Sequence, residues 1–431
     1  MSTLVDPAAV VAARGQLRTR MLARSIDEPH RASSQLELLF DLTFVIAVAS
    51  ITEQLAHRIA EDSVIDGVAP FLQVFFAIWW AWMNFTWFAS SYDTDDVPYR
   101  LLTLLQMAGV LVLAVGVPAA VNDNDYRAVT VGYLIMRIGL VAQWIRAGIE
   151  DPTSRVTARR YALGISIAEV GWVLRLILDE AVVLPRSSLL PIFAVLVLFE
   201  LAVPRWSETS RPTTWHPHHI AERYGLFTII LLGESVLAAS TGVDTVLRQR
   251  GVNAALVMIA AAGLILLFAL WWLYFLVPCA EGLATRRDRS FLWGYGHYGI
   301  FAALAALGAG LEVAVEHTGQ TVHASPFVVS YAVALPVSVF LVLLWALNAP
   351  VVPHLVIRPA ATVSGVLVIL LLPLTAAVTS PAMVVAAIAT VCALLVAFTV
   401  VSMRSPSSAS EPAAAPSRVT RPTRWTSPPA H

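Results

Sequence analysis

Several charged residues stand inside apolar runs long enough to cross a membrane, where an ionisable side chain is costly and rarely faces lipid. Glu37 and Asp41 are four residues apart, so both project from one face of a helix. Arg223 and Glu234 are eleven residues apart and return to nearly the same face. We interpret Asp41 and Glu234 as groups that bind a cation or shuttle protons within a water-accessible polar core.

Two further charges lie within apolar runs. Arg137 stands in the predicted fourth helix and Glu169 in the predicted fifth. On the functional interpretation, Arg137 pairs with Asp41 or Glu234 in the polar core. The alternative is that Arg137 forms interior ion pairs with Asp41, Glu169 or Glu234 that only hold helices together. Both interpretations stay open at this point.

Other polar residues have a structural and a functional interpretation. Glu37 and Glu222 stand in first helical turns, where an acid complements the helix dipole and the free amides. His297 is either a proton relay or a hydrogen-bonded packing residue. The WHPHH run at 215–219 fits a solvated loop that caps the seventh helix, and we assign no metal site and no cofactor. The candidate substrate- or ion-binding residues are Asp41, Glu234, Arg137, Glu169, Glu37, Glu222, Arg223 and His297.

Enzymatic and nucleotide-binding motifs are absent from the sequence. It contains no P-loop, no dinucleotide fingerprint, no HExxH and no GxSxG in a strand–turn–helix setting. Nothing in it indicates nucleic-acid binding. We therefore do not expect an enzyme, although acid pairs are able to do proton chemistry.

The elements that position these residues are membrane-spanning helices. Of the 431 residues, 58% are hydrophobic and 13% charged, against roughly 25% charged in soluble domains. A helix of about 20 apolar residues crosses the hydrocarbon core. The sequence thus predicts an all-α polytopic bundle of about twelve spans, at 37–56, 70–90, 101–121, 128–147, 158–178, 187–204, 222–241, 253–277, 295–315, 326–347, 360–378 and 381–402.

The arginines predict the orientation of these spans. All 28 basic residues are arginine. With the N-terminus in the cytoplasm, 21 arginines lie in inner loops and termini and five in outer loops, which the positive-inside rule favours. We expect both termini to be cytoplasmic and membrane lipids to be partners. We predict a basic N-terminal arm at 1–36, for which we consider an amphipathic helix on anionic lipid, and a disordered tail at 404–431.

The sequence also suggests an internal repeat. Residues 37–51 align with 222–236, with Glu, Thr and Ser at matching positions, and the next span of each half carries a pair of tryptophans. We predict two parallel six-helix repeats, at 37–204 and 222–403, joined by a linker at 205–221.

The loops after the tryptophan-bearing spans have opposite charge. We hypothesise an ion-pair latch between the halves; the bland alternative is two separately solvated loops whose pairs contribute little. The residues concerned are Asp93, Asp95 and Asp96 in the first loop and Arg286, Arg287 and Arg289 in the second.

Three segments resemble the signatures of the bacterial low temperature requirement A (LtrA) family. They are ELLFDLTFVIAV in the first span, the loop YDTDDVPYR, and HIAERYGLFTIILLGES in the seventh span. The resemblance extends from about Glu37 to Met403. It implies a multi-pass protein of the bacterial inner membrane, and it implies no particular reaction.

The first span is also similar to that of a potassium-channel family built from two six-helix repeats, each opening with an FSD motif. The likeness lies at Asp41, Phe44, Ile46 and Ala47, whereas Phe40 replaces the serine. The second half lacks the aspartate. Our leading functional prediction is transporter-like movement of an unknown small solute or ion. The alternatives are a cation channel, a membrane-embedded enzyme or accessory protein, and a structural or sensory protein, and a homo-oligomer stays open.

Overall fold

A computed structural model describes residues 17–26, 28, 31–319, 322–352 and 356–404. These residues form α-helices, short 3₁₀ segments and connecting loops, and no strand occurs among them. Arg14 and residues 405–431, which belong to the predicted arm and tail, lie outside the described residues.

Twelve helical segments are long and apolar enough to cross a membrane, which confirms the predicted bundle. The short α9 continues α8, and 3₁₀ turns at Arg287–Arg289 and Leu372–Ala377 extend α10 and α12. The helices are α1 Gln35–Ala60, α2 Val64–Tyr92, α3 Val97–Asn122, α4 Arg127–Glu150, α5 Arg155–Glu180, α6 Arg186–Glu208, α7 Pro217–Arg250, α8 Ala254–Phe275, α9 Cys279–Thr285, α10 Ser290–His317, α11 Pro326–Asn348, α12 Pro359–Leu371 and α13 Pro381–Arg404. We call the side on which α1 begins the proximal side, and the side on which it ends the distal side.

Polar side chains cap the N-terminal ends of α1, α3 and α7. Ser34 and Glu37 form a capping box at α1, in which Glu37 Oε2 accepts from the Ser34 amide at 2.6 Å. Asp96 caps α3 by accepting from the Tyr99 amide at 3.1 Å. His216 caps α7, as predicted, but this loop is buried rather than solvated, because His216 is only 8% exposed and packs against the bundle.

The helices pack around α10. In its most apolar stretch 78% of the residues are buried, against 17% in α6, so α10 is central and α6 peripheral. α7 and α11 pack along α10, and α1 contacts α2, α3, α7 and α10. The two-repeat arrangement stays a prediction.

Glycines allow α3 and α4 to approach closely. A Cβ atom at Gly132 would lie 2.3 Å from the Leu113 backbone nitrogen and 2.6 Å from the Gly109 oxygen. Small residues at such contacts let transmembrane helix backbones pack with favourable van der Waals energy. The helices α3 and α4 are therefore closely packed against each other beside α1.

The described part of the N-terminal arm, 17–26, is extended and corrects the expectation of an amphipathic helix. It follows the proximal surface, where the Thr19 amide donates to Asp96 Oδ2 at 2.8 Å and the Met21 amide donates to Glu150 Oε2 at 2.6 Å. These backbone amides bond to acids of the bundle instead of forming helical turns.

Candidate functional site

Charged side chains from α1 and α7 meet on the proximal side of the bundle. Arg223 contacts two carboxylates of α1, with Nη1 3.2 Å from Glu37 Oε1 and Nη2 2.6 Å from Asp41 Oδ1. His219, one turn before Arg223 in α7, places Nε2 3.1 Å from Glu37 Oε1. All four side chains are nearly inaccessible to solvent. The predicted shared face of Glu37 and Asp41 is thus confirmed, and it faces α7.

A tryptophan of α2 completes the surroundings of Asp41. Trp82 donates its indole N–H to Asp41 Oδ1 at 2.6 Å, and Arg223 bonds to the same oxygen. The other oxygen, Oδ2, is buried without a hydrogen bond. Such a half-bonded carboxylate is able to accept a proton or a cation on its free oxygen.

Two loop residues extend this group of charges toward the proximal surface. Arg31 Nη2 lies 3.6 Å from Glu37 Oε1 and 3.5 Å from Asp93 Oδ2. Burial raises the pKa of Asp93 to about 6, and the charge of Glu37 adds to this effect while Arg31 and Arg24 oppose it. We call the set of Arg31, Glu37, Asp41, Asp93, His219 and Arg223 the α1–α7 cluster.

The formal charges of the α1–α7 cluster do not cancel. Three carboxylates face two guanidinium groups. Arg24 at the rim pairs with both Glu28 and Asp93, so counting Arg24 together with Glu28 leaves the difference unchanged. With His219 neutral, the cluster carries one negative charge in excess. Burying a net charge is expensive, so the cluster is stabilised when it takes up one proton or one cation.

A second buried cluster lies within the first half of the chain, between α2, α4, α5 and α6. Glu200 accepts from Tyr133 and Trp80 at 2.8 Å each and from Trp172 at 3.2 Å. Arg137 Nη2 lies 3.4 Å from Glu200 Oε2. Arg137 therefore pairs with Glu200 rather than with Asp41 or Glu234, because α4 packs against α5 and α3, away from α7.

Glu169 is the second acid of this Arg137 cluster, as the structural alternative predicted. Its Oε1 lies 3.5 Å from Arg137 Nε, and neither of its oxygens has a hydrogen bond. Glu200, by contrast, is surrounded by donors. With one guanidinium and two carboxylates, the Arg137 cluster also carries one negative charge in excess.

Glu234 lies apart from both clusters, so the four predicted core charges do not converge on one site. It is 6% exposed, and its Oε2 has no hydrogen bond. Its charged neighbours are other acids, Glu53 of α1 and Glu312 of α10. It stands 17 residues beyond Pro217 in α7, about 26 Å along the helix and in its distal half. We call Glu53, Glu234 and Glu312 the distal acidic group.

Aromatic side chains separate the α1–α7 cluster from the distal acidic group. The Trp82 and Phe227 rings are 4.3 Å apart, and the Phe227 and Phe301 rings are 5.0 Å apart. All three side chains are at most 1% exposed. This aromatic layer closes the space between α1, α2, α7 and α10.

The remaining candidates take structural positions. His297 Nδ1 donates to the Trp293 carbonyl at 2.7 Å, and Nε2 lies 3.2 Å from the Tyr274 hydroxyl. Since a carbonyl only accepts, Nε2 of a neutral ring accepts from Tyr274, which favours the packing interpretation over a relay. Glu222 is exposed and accepts only a long 3.5 Å contact from the Ser33 amide. It is the sixth residue of α7, which begins at Pro217, so the interpretation of Glu222 as an acid of a first helical turn is wrong.

The predicted latch between the oppositely charged loops is not formed among the described residues. The acids pair within the first half and its arm: Asp93 with Arg24 and Arg31, Asp95 with Arg100, and Asp96 with Arg146. Arg24 and Arg31 come from the arm, which passes over this loop, whereas Arg100 belongs to α3 and Arg146 to α4. The basic loop bonds elsewhere: Arg287 donates to the Trp215 carbonyl, Arg286 lies 3.5 Å from the Pro350 carbonyl, and Arg289 pairs with Asp288.

Sequence reasoning missed several partners. Arg31, Trp82 and His219 complete the α1–α7 cluster, and Glu200 is the main partner of Arg137. Two indoles of α2, those of Trp80 and Trp82, donate to buried carboxylates. The signal was present, because Trp82 and Glu200 stand within apolar runs, where polar groups need partners.

Comparisons with known proteins agree with the membrane topology. The family model described as "Bacterial low temperature requirement A protein (LtrA)" matches residues 32–400. Over 300 residues the chain is 27% identical to a protein of Rhizobium meliloti (strain 1021) that is described as uncharacterized, in an alignment that covers 66% of this chain and 70% of that protein. No solved structure matches.

Proposed function

The chain belongs to the bacterial low temperature requirement A (LtrA) family of multi-pass membrane proteins, and we propose that it moves a small ion or solute across the bilayer by a transporter-like mechanism. The α1–α7 cluster is the proposed ion- or proton-binding site. The transported solute itself stays open.

The observation that carries this proposal is the excess negative charge of the α1–α7 cluster. If Arg223 only held two helices together, one carboxylate would be enough to neutralise it. Arg223 instead contacts two carboxylates, those of Glu37 and Asp41. In the low-dielectric interior the surplus carboxylate favours a bound proton or cation. A site that binds and releases one proton or cation in each cycle can couple the movement of that ion to the movement of a solute.

The arrangement along α1 and α7 suits this role. Asp41 and Glu53 are twelve residues apart in α1, a separation of about 18 Å. The aromatic layer lies between the α1–α7 cluster and the distal acidic group. An ion that passed from one to the other would cross this layer, so transport requires the layer to open.

Flux measurements in proteoliposomes test the proposal. Purified protein is reconstituted with an entrapped pH-sensitive dye, and H⁺ movement is followed on addition of K⁺, Na⁺ or choline. We expect saturable cation-dependent H⁺ flux in the wild type. Asp41→Asn keeps an oxygen for Trp82 and removes the charge, so we expect it to abolish the flux. Glu222→Gln, an exposed acid in α7, is the matched control and should leave the flux unchanged.

The same preparation separates the alternatives. A cation channel gives single-channel currents in planar bilayers and a flux that does not saturate. An enzyme gives a product without flux. If Asp41→Asn and Glu234→Gln both retain the wild-type flux, buried carboxylates do not drive transport and the proposal is abandoned.

We further propose that the chain resides in the inner membrane with its proximal side in the cytoplasm. The arginine distribution supports this orientation. Fusion of alkaline phosphatase or green fluorescent protein after Met403 tests it, since only a cytoplasmic terminus gives fluorescence without phosphatase activity. The reverse result would invert the assignment.

A further inference from the structure

One buried arginine has no carboxylate partner within the part of the chain that the structure describes. Four arginines of the described residues are less than 9% exposed. Three of them contact two carboxylates each: Arg31 with Glu37 and Asp93, Arg137 with Glu169 and Glu200, and Arg223 with Glu37 and Asp41. Arg175 of α5 is 7% exposed, has no carboxylate within 4.0 Å among the described residues, and leaves its Nε without a hydrogen bond.

Arg175 forms part of the wall of a small cavity. Its guanidinium lies over the Tyr126 ring at 5.6 Å from the centroid. The cavity has a volume of about 40 Å³, and Trp172 and Tyr133 form its inner wall. This is space for roughly three water molecules, comparable to a carboxylate or phosphate group. Asp179, one turn later in α5, is an electrostatic neighbour of Arg175 but forms no ion pair with it.

An apolar groove adjoins this cavity. It has a volume of about 560 Å³ and lies between α2, α6 and α10. The groove and the cavity share three lining residues, Gln73, Phe76 and Phe193. Its other lining residues are almost all aliphatic: Ile65, Val68, Ala69, Leu72, Leu190, Val197 and the aromatic Tyr298.

The positions of Arg175 and of the groove across the membrane match those of a lipid headgroup and its acyl chain. Arg175 stands five residues before the distal end of α5, about 8 Å along the helix, which places it near the headgroup region. The groove begins at Ile65, the second residue of α2 on the same side, and continues inward to Val197 of α6. A cation at headgroup depth beside an apolar channel directed into the bilayer complements an anionic lipid.

We propose that this region binds an anionic phospholipid of the distal leaflet, with its phosphate paired to Arg175 and one acyl chain in the groove. The phosphate supplies the counter-charge that the protein supplies to its three other buried arginines. A charge-assisted hydrogen bond to the guanidinium fixes the headgroup, and burial of the chain adds hydrophobic stabilisation. This site is independent of the proposed transport activity.

Thermal unfolding of the purified full chain in a neutral detergent tests the proposal. Phosphatidylglycerol and phosphatidylcholine with identical acyl chains are titrated separately, together with inorganic phosphate. We expect phosphatidylglycerol to raise the unfolding midpoint of the wild type more than phosphatidylcholine does. Arg175→Gln should weaken the phosphatidylglycerol response by roughly tenfold or more in apparent affinity, and Arg175→Lys should retain part of it.

Two further variants keep the test decisive. Arg127→Gln removes an exposed arginine from the same side, paired with Asp125, and should respond like the wild type. Ala69→Trp fills the groove with Arg175 intact and should weaken the response to both lipids. The proposal is overturned if Arg175→Gln binds phosphatidylglycerol as the wild type does, if Ala69→Trp has no effect, or if inorganic phosphate alone reproduces the shift.

Discussion

Trp80 and Trp82 of α2 donate their indole N–H groups to two different buried carboxylates on opposite sides of the helix. Trp80 donates to Glu200 Oε2 at 2.8 Å, and Trp82 donates to Asp41 Oδ1 at 2.6 Å. Residues two apart in a helix point about 200° apart, so α2 lies between the Arg137 cluster and the α1–α7 cluster. A change at one indole therefore affects one cluster and spares the other.

The indole of Trp82 is needed to stabilise Asp41. We predict that Trp82→Phe keeps the aromatic layer, removes one donor from a buried carboxylate, and costs about 2 kcal/mol. The midpoint of thermal unfolding in detergent should fall accordingly. Trp271→Phe, at a side chain that is 44% exposed, is the control and should leave the midpoint unchanged. Equal midpoints for both variants would show that the bond to Asp41 contributes nothing.

We predict that substituting Arg137 alone destabilises the protein more than substituting Arg137 together with one of its acidic partners. Arg137→Gln leaves Glu169 and Glu200 buried without a counter-charge, a loss of about 3–5 kcal/mol. Adding Glu169→Gln removes one of the two charges, so the double variant should unfold at a higher temperature than Arg137→Gln. A double variant less stable than the single one would contradict this charge count.

The ionisation of Asp93 should make the folded protein less stable as the pH rises. Burial raises its pKa to about 6 in the folded protein, from about 3.9 in an unfolded chain. The folded state thus binds more protons between these values, and the contribution of Asp93 to the free energy of unfolding decreases from about pH 4 to pH 6, by at most about 3 kcal/mol. Unfolding midpoints measured across this range should show a flatter profile for Asp93→Asn. An unchanged profile would exclude Asp93 as the titrating group.

Asp96 has the opposite dependence. Burial opposes its ionisation, but hydrogen bonds from Arg146 and from the Thr19 and Tyr99 amides lower its pKa to about 2. Its stabilisation is present above about pH 4 and is lost as pH falls toward 2. We predict that Asp96→Ala releases residues 17–26, so trypsin cleaves at Arg18, Arg20 and Arg24 faster than in the wild type. Asp95→Asn removes the charge of a surface pair with Arg100 and keeps a residue type that tolerates the positive φ of 49° at this position, so it should leave the cleavage rate unchanged.

The α3–α4 contact leaves no room for a methyl group at Gly132. Gly132→Ala forces the two backbones apart, because the added carbon would lie 2.3 Å from a backbone nitrogen of α3. We expect a marked loss of thermal stability, of about 1–3 kcal/mol. Gly233→Ala of α7 is the matched control, since nothing lies within 4 Å of its added carbon. It should be neutral or slightly stabilising.

The sequence predicts where the helices lie along the chain better than it predicts which helices pack against each other. Each span is an apolar run of sufficient length, so the twelve segments and most of their ends follow from composition alone. The face shared by Glu37 and Asp41 follows equally from helical periodicity. The partner of Arg137 does not, because periodicity gives the direction of a side chain within its helix but not which helix lies opposite. Glu200 became its partner only through the packing of α4, α5 and α6.

The segment at 17–26 connects the ends of three helices through hydrogen bonds. It is bonded to Asp96 at the start of α3, to Glu150 at the end of α4, and to the Ser91 carbonyl near the end of α2. For the transport cycle proposed above, we expect these three helices, fastened at one rim, to move as a single body. We then expect α7 and α10 to move against this body, with the contacts of Arg223 to Glu37 and Asp41 broken and remade in each cycle.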